Sequence, residues 1–247
     1  MGAQLSQAYA HLVRQLESIA FLSNDDKMQL STLQFQTKSI AQRHDVMIHG
    51  AKSSSCCIIV KGVMCRYKMV RGGKRQILSF HLPGDVLDLQ CLDLDFMDHS
   101  IQAMTPCEVA FFSQQALAEL MMNSPSLNLA LRRHAAVDAS IFREWILNVG
   151  RRDALPRIAH LFCEVFARTR ALGIDDGRRF TFSLTQSEIA DATGLSAVHV
   201  NRTLQHLRKQ QLISSRGSSH TIIDTPGLER AADFDPAYLH LRMPQAA

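Results

Sequence analysis

From Leu5 to about Leu33 apolar residues recur at helical spacing (Leu12, Leu16, Ile19, Leu22), and Ser23 of an SNDD turn offers a cap for a second short helix. From Phe35 to Phe112 the pattern changes to short apolar runs broken at Gly50, Gly62, Gly72, Gly73, Pro83 and Gly84, the signature of strands joined by close turns. Within this stretch Val63, Cys65, Tyr67 and Met69 alternate with Met64, Arg66, Lys68 and Val70 before RGGK turns the chain back into QILSF, a hairpin pattern. Regular short strands of this kind predict a closed or rolled antiparallel sheet.

Helical periodicity returns from about Ser126 to Val149, with Val137, Ile141, Trp145 and Val149 along one side and Leu127, Leu131 and Ala135 nearby. Two placements are open to so long a helix: across its own β-roll, or against the same helix of a second chain. Dimer pairing is the expectation. Gly150-Arg151-Arg152-Asp153 interrupts the pattern, and Pro156 stands in the first turn of the next helix, from about Ala154 to Leu172. The domain boundary is therefore expected there, dividing residues 1–150 from 151–247. Ile158, Leu161, Phe162, Val165 and Phe166 give the next helix one buried face, on or beside which Cys163 reads as an inert core thiol.

Composition narrows the class. Of 247 residues, 46% are apolar, 20% charged and 6% aromatic, enough for one large core or two modest ones and incompatible with a disordered or collagen-like chain. The longest stretch free of ionisable residues, 120–131, is too short and too polar to span a bilayer, so no membrane partner is expected. Six cysteines form no C-x-x-C pair and no secretory signal precedes them, which points to a reducing cytoplasm.

A net charge of +4, from 27 basic and 23 acidic residues, says little until it is divided along the chain. Residues 192–223 contain no Asp or Glu but hold Arg202, Arg208, Lys209, Arg216, His199, His206 and His220. Residues 85–103 hold Asp85, Asp88, Asp93, Asp95 and Asp98 and no Lys or Arg.

The acid-free segment overlaps SLTQSEIADATGLSAVHVNRTLQHLRKQQLI, in which Thr185 and Glu188 form a capping box, Gly194 breaks the first helix and Ser196 caps a second reaching about Lys209. Helix, glycine turn and helix make a helix-turn-helix. Val200, Leu204 and Leu207 must pack inward, which leaves Val198, Asn201, Arg202, Gln205, His206 and Lys209 on the free side. Backbone N–H groups of the second helix's first turn, with the Ser196 hydroxyl, suit a phosphate. Arg202 offers two donors to a guanine edge, and Val198 suits a thymine methyl. The run SSRGSSHTIID then reads as a wing hairpin turning at Gly217 that can set Arg216 against the DNA backbone.

On these residues the chain resembles the cyclic-AMP receptor protein and fumarate-nitrate regulator (CRP/FNR) superfamily of bacterial transcription factors. The marks are HGAKSSSCCIIVKGVM, the LPGD of Leu82 to Asp85 and TPCEVAFF, then PRIAHLF and LTQSEIADATGLS with VNRTLQHLR. The resemblance implies an α+β chain: an N-terminal cyclic-nucleotide-binding-like β-roll, a long dimerisation helix at about 126–149, and a C-terminal winged helix-turn-helix. It implies a homodimer on near-palindromic double-stranded DNA, with RNA polymerase as a partner of an activator. The family's DNA contacts fall on Gln186, Ser196, Ala197, Val198, His199 and Arg202. At Ala197 and Val198 the chain departs from the charged or polar base-readers of the best-known members.

Where cyclic-nucleotide members carry a Gly-Glu pair after PGD this chain has Asp88-Leu89, and the phosphate-binding arginine's neighbourhood reads FMDHS. Five carboxylates without a cation repel a phosphodiester, so neither cyclic AMP nor cyclic GMP is expected as effector. No cysteine precedes Cys56, which argues against an iron–sulfur cluster, and no cofactor is expected. Two alternatives stay open: a haem- or metal-dependent sensor, with Asp93, Asp95, Asp98 and His99 as a divalent-cation group, and a cupin-like metalloenzyme. The cupin needs an H-x-H, whereas the strands supply only single histidines at 44, 49 and 81.

Overall fold

The computed structural model describes residues 2–52, 55–87, 89–173 and 181–242. It contains two compact units. One comprises the chain up to Lys68 together with Ser79–Ala139 and the stretch from Leu241; the other comprises Met69–Leu78 and Ser140–His240.

The first unit opens with helices α1 (Gly2–Glu17) and α2 (Asn24–Leu30), followed by eight strands, of which Met69 and Arg75–Leu78 count with the second unit: β1 (Gln36–Ile40), β2 (Asp45–Met47), β3 (Ser55–Lys61), β4 (Met64–Met69), β5 (Arg75–His81), β6 (Val86–Leu87), β7 (Ser100–Ala103) and β8 (Cys107–Ser113). They form two four-stranded sheets, ordered β1-β8-β3-β6 and β2-β7-β4-β5, with antiparallel neighbours as expected of a roll.

Strand β3 explains how the roll is packed. Its residues Cys56 to Val60 are all buried, because alternate side chains serve different cores. Cys57 and Ile59 join Met64, Leu87, Ile101 and Val109 inside the roll, whereas Cys56, Ile58 and Val60 face Leu12, Leu16 and Leu30 of the N-terminal helices. The two adjacent thiols thus point into separate cores. At the β3–β4 turn a Cβ on Gly62 would stand 2.6 Å from both the Cys107 sulfur and the Pro106 carbonyl, so only glycine fits.

After α3 (Gln114–Asn123) the chain enters α4 (Pro125–Arg151). Gly150 does not end this helix, which runs to Arg151, since one helical glycine costs only about 1 kcal/mol against alanine. The apolar stripe read from the sequence is largely spent within the chain. Leu127 and Leu131 complete the core beneath α1, and Ile141 and Trp145 are buried in the second unit, whereas Val137 and Val149 are half-buried and Ala135 is exposed. The side left bare carries Leu129, Ala136, Ala139 and Ile146, with Leu129 70% and Ile146 73% exposed.

The second unit continues with α5 (Ala154–Ala171), β9 (Thr181–Ser183), α6 (Gln186–Thr193), α7 (Ala197–Lys209), β10 (Ile213–Arg216), β11 (Ser219–Ile222) and α8 (Thr225–Ala232). Strands β10, β11 and β9 form an antiparallel sheet in that order. Ile158, Leu161, Phe162 and Val165 of α5 lie buried with Ile189, Val200, Leu204, Leu207 and Leu228. Cys163 is buried as expected of a core thiol, and burial pushes its pKa up. Among the described residues no helix is long and apolar enough to cross a membrane.

Candidate nucleic-acid interface

Helix α6 begins with a reciprocal cap: Glu188 N–H donates to the Thr185 hydroxyl, and Thr185 N–H donates to the Glu188 carboxylate (2.7 Å). It ends at Gly194, whose φ of +68° is the left-handed conformation that lets its N–H reach back to the Ala190 carbonyl. Ser196 then caps α7 by accepting the His199 N–H (3.2 Å). Its O–H hydrogen stays available as a donor, because a hydroxyl both accepts and donates.

The two faces of α7 divide as its spacing requires. Val200, Thr203, Leu204 and Leu207 are buried, and Val198, Arg202, Gln205, His206 and Lys209 are exposed. Of the residues singled out from sequence, Gln186, Ser196, Ala197, Val198 and Arg202 are exposed and His199 is half-buried. Val198 is 81% exposed, an apolar side chain with no core to fill.

Sequence reading passed over the polar links across this surface. Asn201 donates to the Gln186 side-chain oxygen (3.2 Å), and Gln205 donates to the Asn201 side-chain oxygen (2.9 Å). Gln186 at the start of α6 is thereby held against α7. The i, i+4 spacing of Asn201 and Gln205 was the available signal.

One residue counted with the basic surface does not belong to it. His220 is buried on β11, stacked on Phe162 at 5.4 Å, with its ring nitrogens 2.8 Å from the Ser215 hydroxyl and 3.1 Å from the Leu184 carbonyl. Burial lowers its pKa, so it anchors the wing as a neutral ring. Arg216, at the wing tip, is exposed.

In the first unit the acidic loop is organised differently from its sequence. His99 is buried, its Nδ1 2.7 Å from Asp98 and its Nε2 accepting from Arg66 Nε (3.0 Å). Arg66, only 3% exposed, also donates to Asp138 of α4 (2.9 Å). Burial would raise the Asp138 pKa, but the Arg66 charge and hydrogen bond, with His81 and His134, together outweigh it and hold it low. The lack of a cation in residues 85–103 therefore does not carry over into space. Arg66 arrives from β4, where strict alternation had hidden it. Asp93 and Asp95 are exposed, Asp88 lies outside the described residues, and among the described residues no three His, Cys, Asp or Glu side chains converge to hold a metal.

Both halves match known families. Residues 156–231 match a Crp-like helix-turn-helix domain, and residues 37–124 match a cyclic nucleotide-binding domain. The chain belongs to the CRP/FNR family of transcription regulators. This CRP/FNR regulator is 28% identical over 187 residues to a probable transcriptional activator of Rhizobium leguminosarum bv. viciae, covering 75% of this chain and 77% of that one. It is 27% identical over 216 residues to the anaerobic regulatory protein of Haemophilus influenzae, covering 85% and 82%. The structure of FixK2 from Bradyrhizobium japonicum shares the fold, with 21% identity and a TM-score of 0.74 over 81% of this chain and 98% of that one. Members of the family regulate transcription and are not enzymes, so this CRP/FNR regulator needs no catalytic site.

Proposed function

We propose that this regulator acts in the cytoplasm as a homodimer on a near-palindromic operator, with residues 1–150 sensing and dimerising and residues 151–247 reading DNA. The observation that carries this reading is the free face of α7, an acid-free surface on which Arg202 and Val198 stand exposed. Ser196 and the α7 N-terminus bind phosphate, Arg202 reads a guanine edge, Val198 meets a thymine methyl, and Gln186, Ala197 and His199 line the approach. Because its relatives are named as activators, the bound dimer's partner at a promoter is RNA polymerase.

The effector is neither cyclic AMP nor cyclic GMP. The place of the phosphate-binding arginine carries Asp98 and His99, and the arginine that reaches this place, Arg66, is already bonded to Asp138 and His99. Arg202→Ala is expected to weaken binding to a duplex selected by the wild type by roughly 10- to 100-fold and to relax preference at one position per half-site. Unchanged affinity in a fluorescence-anisotropy titration would remove α7 as the reader.

A further inference from the structure

The tip of the β4–β5 hairpin, Met69–Leu78, belongs to the same compact unit as the helix-turn-helix. Arg75 Nε and Nη2 each lie 2.9 Å from the same carboxylate oxygen of Asp191, and Gln76 Nε2 donates to the Ala192 carbonyl (3.2 Å). Both partners stand in the last turn of α6, three and two residues before Gly194, where the turn to α7 begins.

That location has two electrostatic defects which the hairpin removes. The last carbonyls of a helix lack partners within the helix, and an acid in the last turn opposes the helix dipole. Arg75 neutralises Asp191 and Gln76 takes the Ala192 carbonyl. From the other direction Arg157 of α5 donates to the Thr193 carbonyl (2.9 Å), and Gly194 N–H takes the Ala190 carbonyl. The turn is packed closely: a Cβ on Gly194 would lie 3.5 Å from Val149 and 3.9 Å from the Gln76 side-chain oxygen.

We infer that Arg75 is a positioning residue for DNA reading: through Asp191 it latches the end of α6 and fixes the pose in which α7 meets DNA. Arg75 does not touch DNA in this role. A latched reader is ordered before it binds, so loss of the latch weakens binding by adding an ordering cost.

The test uses the full chain, a duplex selected from a random pool by the wild type, and hydrogen–deuterium exchange of the free protein. Arg75→Ala and Asp191→Ala are each expected to weaken binding about fivefold or more, and Arg75→Ala is expected to have no further effect in the Asp191→Ala background, as for a coupled pair. Exchange at residues 190–195 rises in both variants, and Arg75→Lys recovers part of the loss. The slope of log Kd against log salt stays that of the wild type, whereas a lost phosphate contact lowers it by about one. Tighter or unchanged binding, additive effects, unchanged exchange or a lowered slope each overturn the inference. If Arg75→Ala lowers the melting midpoint, Asp191→Asn, which keeps the shape of the carboxylate, carries the same readouts.

Discussion

His160 lies buried in α5 with the Tyr238 ring stacked at 5.8 Å and the Phe234 ring edge-on at 5.2 Å. Burial, aided by Arg152, pushes its pKa down to about 3, although Glu144 Oε1 is 3.3 Å from Nε2. The unfolded chain therefore takes up this proton first. His160 contributes full stability above its unfolded value near 6.5 and loses up to about 1.4 kcal/mol per pH unit as the pH falls toward 3. Glu164, raised by burial despite hydrogen bonds from Trp145 and Tyr238, acts with the opposite sign from about pH 4.5 upward. The informative quantity is thus a difference. Between pH 7 and 5, His160→Asn is expected to lose less stability on acidification than the wild type in urea titrations, and parallel curves would contradict this. Ionisable residues of this kind were illegible in the sequence: Arg66, His160 and Glu164 sit where a pattern of apolar and polar letters assigns either core or surface, and only their partners from distant strands and helices make burial tolerable. The exposed letters of α7 were legible, because cap, glycine turn and helical period each fix the same face.

Helix α4 shows what a single element's pattern can and cannot say. Its stripe of large apolar residues was visible, and with it the choice between the chain's own core and a partner; the structure gives most of that stripe to the chain itself. The bare side repeats at coiled-coil spacing, Leu129, Arg132, Ala136, Ala139, Arg143 and Ile146, and its small residues let a second backbone approach closely. We assign the dimer seam to this face. Alanines separated by arginines do not read as an apolar stripe, which is why this side of the helix was not legible in the sequence. Ile146→Glu, at a position 73% exposed and so harmless to the isolated fold, is expected to convert the dimer to monomer in sedimentation equilibrium and to weaken operator binding by more than tenfold. An unchanged dimer would move the seam elsewhere.

At the scale of the whole molecule, a modest net charge of +4 conceals a division of labour. A reading helix free of acid lies in one unit; in the other, a buried arginine is bound to an aspartate of the long helix and to a histidine of a loop rich in carboxylates. The fold was largely legible, since roll, long helix and winged helix-turn-helix each carry local turn and cap chemistry. Contacts that tie one segment to a distant one, Arg75 to Asp191 and Arg66 to Asp138, were not, because nothing in local spacing encodes them. The dimeric reading is tested most directly by selecting duplexes from a random pool with the purified chain and sequencing those retained. A two-fold reader enriches inverted half-sites with centres about 10 base pairs apart, one turn of the double helix. Enrichment of a lone half-site, of direct repeats, or of no sequence at all would contradict it.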